Sequence, residues 1–238
     1  MIRRGRSAAS SRGSRRGILL VGNDVVDLHD PETRLESIHD RFIDRVFTPA
    51  ERDAIFAACD PRAALWSHWA AKESAYKIIK KIDPDAMFSH CAFHVDFFNR
   101  VAGTRLMGSV EHESHRIDVD VLHVGDTIHA VALLGHWPHS RRVVSDLAPI
   151  SAADDPSRAV RDALVESAAR EFDCSTAELR VIGSRPPRLE RRGTGVGFDV
   201  SLSHHGRLVG FAYTPPSGAG RRARPVAATV RGRFRTTG

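Results

Sequence analysis

The stretch WSHWAAKESAYKIIKK, residues 66–81, decides how this chain folds and where a polar site can lie. Trp69, Tyr76 and Ile79 recur here at the spacing of helical turns, which predicts a long helix with one buried face. Glu73 lies on that same face, one turn after Trp69, so we expect its carboxylate at the edge of the core. An ionised acid in that position needs a partner, and a metal ion is one candidate.

A second acidic residue interrupts an apolar segment near the amino end. The segment GNDVVDL, residues 22–28, has the composition of a strand, and Asp24 lies inside it. Each acid also has an ordinary explanation. Glu73 and Lys77 are spaced as a helix-surface ion pair worth about 0.3–0.5 kcal/mol, and backbone amides could satisfy Asp24 at a strand end. Taken together, the three residues instead favour a site for a cation and a phosphate.

Net charge is the feature that most suggests a nucleic-acid binder, but its distribution argues against one. The formal charge is +6, yet six arginines precede Ile18, six follow Tyr213, and neither terminal segment contains an acid. The remaining 23 basic residues are outnumbered by 29 acidic residues. We therefore predict no specific nucleic-acid partner. The terminal segments 1–17 and 215–238 are rich in Gly, Ser, Pro and Arg and are predicted to be disordered.

The chain carries no pattern typical of export or of a structural metal cluster. The apolar run that follows Arg16 is too short for a signal peptide, and no segment reaches transmembrane length. The 3 cysteines are widely spaced without a CxxC pair, which predicts reduced thiols. The 13 histidines lack the spacing of a zinc site. We expect a cytoplasmic protein that does not bind membranes.

The order of helical and strand patterns predicts an α+β fold. The first half, residues 18–138, begins with a strand and continues with three helices, the last at about 61–82, and four strands. A linker is expected at 139–154, and the second half, 155–214, has one helix and three strands. The second half repeats the order of the first in shorter form. We therefore predict a pseudo-twofold pair of units, each a helix block packed on a small antiparallel sheet.

Three motifs of this chain resemble the 4′-phosphopantetheinyl transferase superfamily. GNDVVDL at 22–28 is similar to its GxD strand, and WAAKESAYK at 69–77 is similar to its KE(S/A)xxK helix. SLSHHGRLVGFAY at 201–213 looks like its SxSH motif and the apolar strand that follows. The resemblance implies two transferase-like units that move the 4′-phosphopantetheine arm of coenzyme A to a serine of an acyl, polyketide or peptidyl carrier protein. Adenosine 3′,5′-bisphosphate is then released.

The resemblance also implies roles for individual residues. Asp24 and Glu73 would hold Mg²⁺, and Glu73 would also be the base that takes the serine proton. Lys72 and Lys77 would neutralise charge on the pyrophosphate, and Lys77 would assist the departing bisphosphate. Further contacts to coenzyme A phosphate are implied for Ser203, His204 and Arg185, the last standing where one family type has a lysine.

The order of the motifs differs from the surfactin-synthetase-activating type, in which SxSH precedes GxD. It matches the short holo-acyl-carrier-protein synthase type, whose site forms between subunits of a homotrimer. Since this chain is long enough to hold both half-sites, we predict a monomeric catalytic unit. Val26 stands where the surfactin type has a second acid, so water is expected at that coordination position. Asp27 should point to the other face of the strand and is predicted to be structural.

Two other functions stay open at this point. The chain could be a catalytically silent homologue that binds coenzyme A or a carrier protein, although the intact acids and lysines of its motifs favour an enzyme. It could also bind nucleic acid through its arginine-rich ends, which the acidic centre and the lack of an aromatic stacking pattern disfavour. The resemblance further implies a carrier with an acidic helix, so Arg41, Arg45 and Arg52 are predicted as its docking face.

Overall fold

The structure is a computed structural model that describes residues 19–101, 104–135, 143–197 and 199–215. Its first half contains β1 (Leu20–Asp27), α1 (Asp40–Val46), α2 (Pro49–Phe56), α3 (Pro61–Ile82), β2 (His94–Val101), β3 (Arg105–His112), β4 (His115–Val124) and β5 (Thr127–Leu134). Its second half contains β6 (Val144–Pro149), α4 (Pro156–Phe172), β7 (Leu179–Ile182), β8 (Arg188–Arg191), β9 (Thr194–Gly195), β10 (Val200–His205) and β11 (Leu208–Tyr213). The predicted α+β fold is confirmed, since a helix packs on an antiparallel sheet in each half.

Capping residues explain where the helices of the first half begin. Thr48 and Glu51 form a capping box at the start of α2, in which each side chain accepts a hydrogen bond from the other residue's backbone N–H. Asp60 caps α3 by accepting from Ala63 N, and Pro61 occupies the first helical position. The bounds of α3 are those predicted. None of the helices in the described ranges is long and apolar enough to cross a membrane.

The main core lies between α3 and the five-stranded sheet β1-β5-β4-β3-β2. Small residues such as Ala71 and Ala75 are fully buried on the helix side and let α3 lie close to the sheet. Trp69 and Tyr76 are half-buried and pack against the edge of this core, so the predicted buried face includes its rim at these two positions. They lie on the flank of α3 that also carries Glu73.

The predicted linker at 139–154 is wrong where the structure describes it. Residues 144–149 form β6, which pairs antiparallel with β11, so the second half begins with a strand and not with its helix. The sequence VSDLAP shows little alternation and ends in proline, so its pattern gives no strand signal. The predicted leader 1–17 and residues 139–142 lie outside the described residues, as does the predicted tail beyond residue 215.

The pairing of the strands shows that the second half repeats the first. The sheet order β1-β5-β4 corresponds to β6-β11-β10. Ala130 on β5 pairs with Asp24 on β1, and Phe211 on β11 pairs in the same way with Asp146 on β6. The predicted repeat is therefore present in the order of three strands in each half, while the sheet β7-β8-β9 belongs to the second half alone in the described ranges.

The helices carry the same repeat, with ESAYK at 73–77 in α3 and ESAAR at 166–170 in α4. In the first half, helix and strand touch at Gly22, where a Cβ atom would lie 1.9 Å from Ser74 O. The strand pairing aligns Val144 of the second half with Gly22, so a branched side chain stands where the first half has none. The charged residues of ESAAR are exposed. The first half is thus the copy in which the helix acid and the strand acid meet.

The two halves dock through β1 and β10, which lie side by side and run parallel. Backbone N–H groups of β1 donate to side chains of β10 and of the residue just before it, in three pairs: Val21 to Asp199, Asn23 to Ser201, and Asp27 to His205. Each pair is separated by 178 residues, so the two strands stay in register. Side chains of the second half therefore accept hydrogen bonds from backbone N–H groups on the edge strand of the first sheet.

Lys81, in the last turn of α3, forms hydrogen bonds that connect this helix to both β1 and β10. Its ammonium donates to Val21 O at 2.6 Å, to Asp199 Oδ2 at 2.7 Å and to Val200 O at 2.8 Å. The side chain is only 6% exposed, so these three acceptors replace the water that it loses. The helix that carries Glu73 is thereby held to the second half as well as to its own sheet.

Candidate functional site

Asp24 and Lys77 meet where α3 crosses β1. Lys77 Nζ donates to Asp24 Oδ1 at 3.0 Å and to Asn23 O at 2.7 Å. The Asp24 side chain is 14% exposed and that of Lys77 is 29% exposed, so solvent still reaches the pair. Glu73 lies one helical turn before Lys77 on the same face of α3. The structure therefore brings three of the predicted site residues together.

The carboxyl group of Glu73 lies where its own charge is disfavoured. Burial, the larger cause, and the negative charge of Asp24 raise the pKa of Glu73 to about 7, against an opposing effect of Lys77. A cation between two such carboxylates would relieve their repulsion. Mg²⁺ is typically bound by one or two carboxylates, with phosphates and waters completing its shell. The two acids fit that ion, while no cluster of three or more metal-binding side chains occurs in the described ranges.

Lys72 does not belong to this site, so its predicted contact with a pyrophosphate is wrong. Its side chain is fully buried, and Nζ donates to Glu51 Oε2 at 2.7 Å and to the carbonyls of Val46 and His90. These three bonds use every donor of the ammonium. Burial lowers the pKa of Lys72, while Glu51 opposes that change. Successive helical residues point about 100° apart, so Lys72 leaves α3 in a different direction from Glu73.

Ser203 and His204 both lie on the docking strand β10, but their surroundings differ. The Ser203 hydroxyl is buried, accepts from Asn23 Nδ2 at 2.8 Å and donates to Gly210 O at 3.4 Å. This buried hydroxyl does not fit the predicted contact with a phosphate. His204 is exposed, and its contact with coenzyme A stays a prediction.

Arg185 lies in the exposed loop between β7 and β8. A second arginine reaches the same loop, because Arg161 Nη2 donates to Gly183 O at 3.2 Å. Two cations at one loop suit an anionic group. A phosphate contact of Arg185 stays a prediction.

Asp27 lies on the face of β1 opposite to Asp24, as predicted, and it joins the two halves. Its buried carboxylate accepts from Arg207 Nε at 2.8 Å, from Arg207 Nη2 at 2.9 Å and from His29 N at 2.9 Å. Gly206 makes this approach possible, because a Cβ atom there would lie 2.7 Å from Asp27 Oδ2. Burial by itself would raise the pKa of Asp27, but hydrogen bonds from Arg207 and His29 lower that pKa well below its usual value.

Replacing Asp27 by asparagine should therefore destabilise the protein in a pH-dependent way. The folded-state pKa is depressed, so the carboxylate contributes its stability above the unfolded pKa of about 4 and loses it as the pH falls below that value. We expect Asp27→Asn to lower the free energy of unfolding by about 2 kcal/mol at pH 7, because charge-assisted hydrogen bonds are lost. Urea unfolding at pH 7 and pH 3 measures the difference. An equal loss at both pH values would contradict the assigned ion pair.

Sequence reasoning missed the buried polar residues behind Asp24. Asn23 Nδ2 lies 2.8 Å from Ser203 Oγ and 3.4 Å from His129 Nε2. Burial and the charge of Lys77 lower the pKa of His129 to about 4, so the ring is neutral at physiological pH. Both Asn23 and His129 are polar residues within apolar strand segments. That is the signal that identified Asp24, and it could have found them too.

Sequence comparisons relate this chain to one family. A family model described as the 4′-phosphopantetheinyl transferase superfamily matches residues 20–132. Holo-[acyl-carrier-protein] synthase from Aquifex aeolicus (strain VF5) is 34% identical over 58 residues, which are 24% of this chain and 48% of that protein. The chain therefore spans about half the length of this curated relative. Asp24, Glu73 and Lys77 lie inside the matched residues, and the second half lies outside them.

Solved structures of two proteins also resemble part of the chain. The Chronobacterium ammoniagenes ACPS–CoA complex has a TM-score of 0.39 at 21% identity and covers 50% of this chain and 98% of its own. Holo-[acyl-carrier-protein] synthase from Neisseria meningitidis has a TM-score of 0.37 at 17% identity and covers 49% of this chain and 97% of its own.

Proposed function

Since residues 20–132 belong to the 4′-phosphopantetheinyl transferase superfamily, we propose that this chain transfers the 4′-phosphopantetheine arm of coenzyme A to a serine of a carrier protein. The observation that carries the proposal is the meeting of Asp24, Glu73 and Lys77 at the crossing of β1 and α3. Two acids and a lysine at one partly open place suit a reaction that depends on positioning and charge neutralisation.

The two acids would hold Mg²⁺, which when bound neutralises charge on the pyrophosphate. Glu73 would accept the proton of the carrier serine, since a carboxyl group whose pKa is about 7 can act as a base near neutral pH. The serine oxygen then forms a bond to the phosphorus next to the pantetheine arm. The bond from that phosphorus to the bridging oxygen breaks, and adenosine 3′,5′-bisphosphate leaves.

Lys77 would stabilise the charge that develops on the leaving group. In the structure its ammonium donates to Asp24 and to a backbone carbonyl. An ammonium has three donors, so a third would reach a phosphate oxygen while these two bonds hold the side chain in place. His204 and Arg185, both exposed in the second half, would contact the remaining phosphate of coenzyme A.

The carrier protein would approach over α1. Arg41 and Arg45 are exposed on this helix and suit an acidic partner surface, whereas Arg52 already pairs with Asp44. Because β1 and β10 supply both sides of the site within one chain, we propose a monomer as the catalytic unit.

Intact mass spectrometry of apo-carriers tests the proposed function. A panel of acyl, polyketide and peptidyl carriers is incubated with the protein, coenzyme A and Mg²⁺, and the expected result is one added phosphopantetheine on the carrier serine. Asp24→Asn should lower the rate by about a hundredfold or more, because one of two metal-binding carboxylates is lost. Tight coenzyme A binding with no mass change on any carrier would instead identify a silent coenzyme A-binding homologue.

A further inference from the structure

Asn23, the residue directly before Asp24, contacts both the candidate site and the second half of the molecule. It is fully buried. Its carbonyl accepts from Lys77 Nζ at 2.7 Å, and its N–H donates to Ser201 Oγ at 2.9 Å. Its side-chain Nδ2 donates to Ser203 Oγ at 2.8 Å. One residue therefore links the site lysine to two serines of β10.

Ser203 is packed so that its hydroxyl is committed to this link. The side chain is nearly fully buried, and its Oγ accepts from Asn23 and donates to Gly210 O. The space around it is full, since a Cβ atom on Gly210 would lie 3.2 Å from Asn23 Nδ2 and 3.3 Å from Ser203 Oγ. A phosphate of coenzyme A would have to displace one of these two hydrogen bonds to reach this oxygen.

The orientation of the Asn23 amide depends on its Nδ2 contacts. Its Oδ1 atom is buried and has no hydrogen-bond partner among the residues that the structure describes. The contact to His129 Nε2 is the longer of the two, at 3.4 Å. The Ser203 hydroxyl therefore does most to fix the amide, and the amide in turn fixes the backbone that carries Asp24.

We propose that Asn23 and Ser203 form a positioning pair, which sets the Asp24 carboxylate and the Lys77 ammonium by holding β1 against β10. The inference rests on the proposed function and extends it. It assigns the serine of the SxSH segment to support of the metal-binding acids and not to contact with coenzyme A. A neutral hydrogen bond contributes little to stability, but a shift of about 1 Å at a reacting group can cost about a hundredfold in rate.

The test is a double-mutant cycle of Asn23→Ala and Ser203→Ala. Each single variant should lower kcat by roughly ten- to a hundredfold and raise the Mg²⁺ concentration for half-maximal rate, with KM for coenzyme A unchanged. The double variant should be no worse than the poorer single variant, because the two residues act through one contact. Ser109→Ala is the matched control. It removes a buried hydroxyl that has no hydrogen-bond partner in the described ranges, and it should behave as wild type.

A metal-binding measurement makes the outcome independent of transfer. Mn²⁺ binding is measured by the loss of the paramagnetic resonance signal of the free ion. The affinity for Mn²⁺ should fall several-fold in each single variant, and it should fall no further in the double variant. The inference would be overturned if the Ser203→Ala variant had a raised KM for coenzyme A with unchanged Mn²⁺ binding and kcat. Ser203 would then be a contact of coenzyme A. If wild type modified no carrier but Mn²⁺ binding still followed the cycle, the proposed function would fail and the positioning pair would stand.

Discussion

Replacing Glu73 by glutamine should greatly slow transfer and, without metal, make the protein more stable at alkaline pH. The variant keeps the shape of the side chain but can neither accept a proton nor neutralise a cation. A lost general base typically costs 10²–10⁴-fold, so we expect a rate roughly a thousandfold lower. The gain in stability follows because the wild-type carboxylate is buried near Asp24 and raises the free energy of the folded state when it is ionised.

The pH dependence of that gain has a defined sign. The folded-state pKa of Glu73 is raised from 4.5 to about 7. Between these values the folded state binds more protons than the unfolded state, so wild-type stability falls as the pH rises through this window and stays low above it. The Tm difference between Glu73→Gln and wild type should therefore be small at pH 4.5 and largest at pH 8. Added Mg²⁺ should raise the wild-type Tm and leave the variant almost unchanged.

The repeat within the chain supplies a control for this experiment. Glu166 occupies the equivalent position of α4 but is exposed. Glu166→Gln should alter neither the transfer rate nor the pH dependence of Tm. If the Glu73→Gln variant behaved like this control, the assignment of Glu73 to the site would be contradicted.

Replacing Lys72 by methionine should lower the Tm of the protein by several degrees, whereas the same change at Lys77 should mainly lower the transfer rate. Removing one partner of a buried ion pair leaves the other charge uncompensated and typically costs about 3–5 kcal/mol. For a chain of this size the loss corresponds to a Tm lowered by roughly 10 °C. Glu51 would be left buried, although it still accepts from the backbone N–H groups of Thr48 and Val95.

Thermal unfolding and steady-state kinetics distinguish the structural role of Lys72 from the catalytic role of Lys77. Lys77→Met should keep a Tm within a few degrees of wild type, because the side chain is partly exposed. Adding Glu51→Gln to Lys72→Met should recover part of the lost Tm, since the buried charge is removed. If the Lys72→Met variant kept the wild-type Tm and had a raised KM for coenzyme A, the predicted contact between Lys72 and the pyrophosphate would be supported after all.

The helices and the acids of the site could be predicted from sequence because their signals are local. A capping box and an Asp-Pro start fix α2 and α3 within a few residues. Asp24 stands out because a charged residue inside an apolar strand needs a partner. The register of β1 with β5 is not such a local signal, because burial does not alternate along either strand.

The parts that could not be predicted depend on contacts between distant segments. Helical spacing places Lys72 beside Glu73 in sequence but does not say that Glu51, 21 residues earlier, lies on its side of the helix. β6 is held by its pairing with β11 and not by its own polar sequence. Ser203 has the spacing of a phosphate contact, and its burial is visible only once β1 lies against β10.

The valine at position 144 bears on how the two halves divide their tasks. The strand pairing places it where the first half has Gly22, whose missing side chain lets β1 touch Ser74 of α3. The acid and the arginine of ESAAR are exposed, whereas Glu73 and Lys77 of the first half lie against β1. A chain built from two similar halves can thus keep its chemistry in one half while the other half holds that one in place.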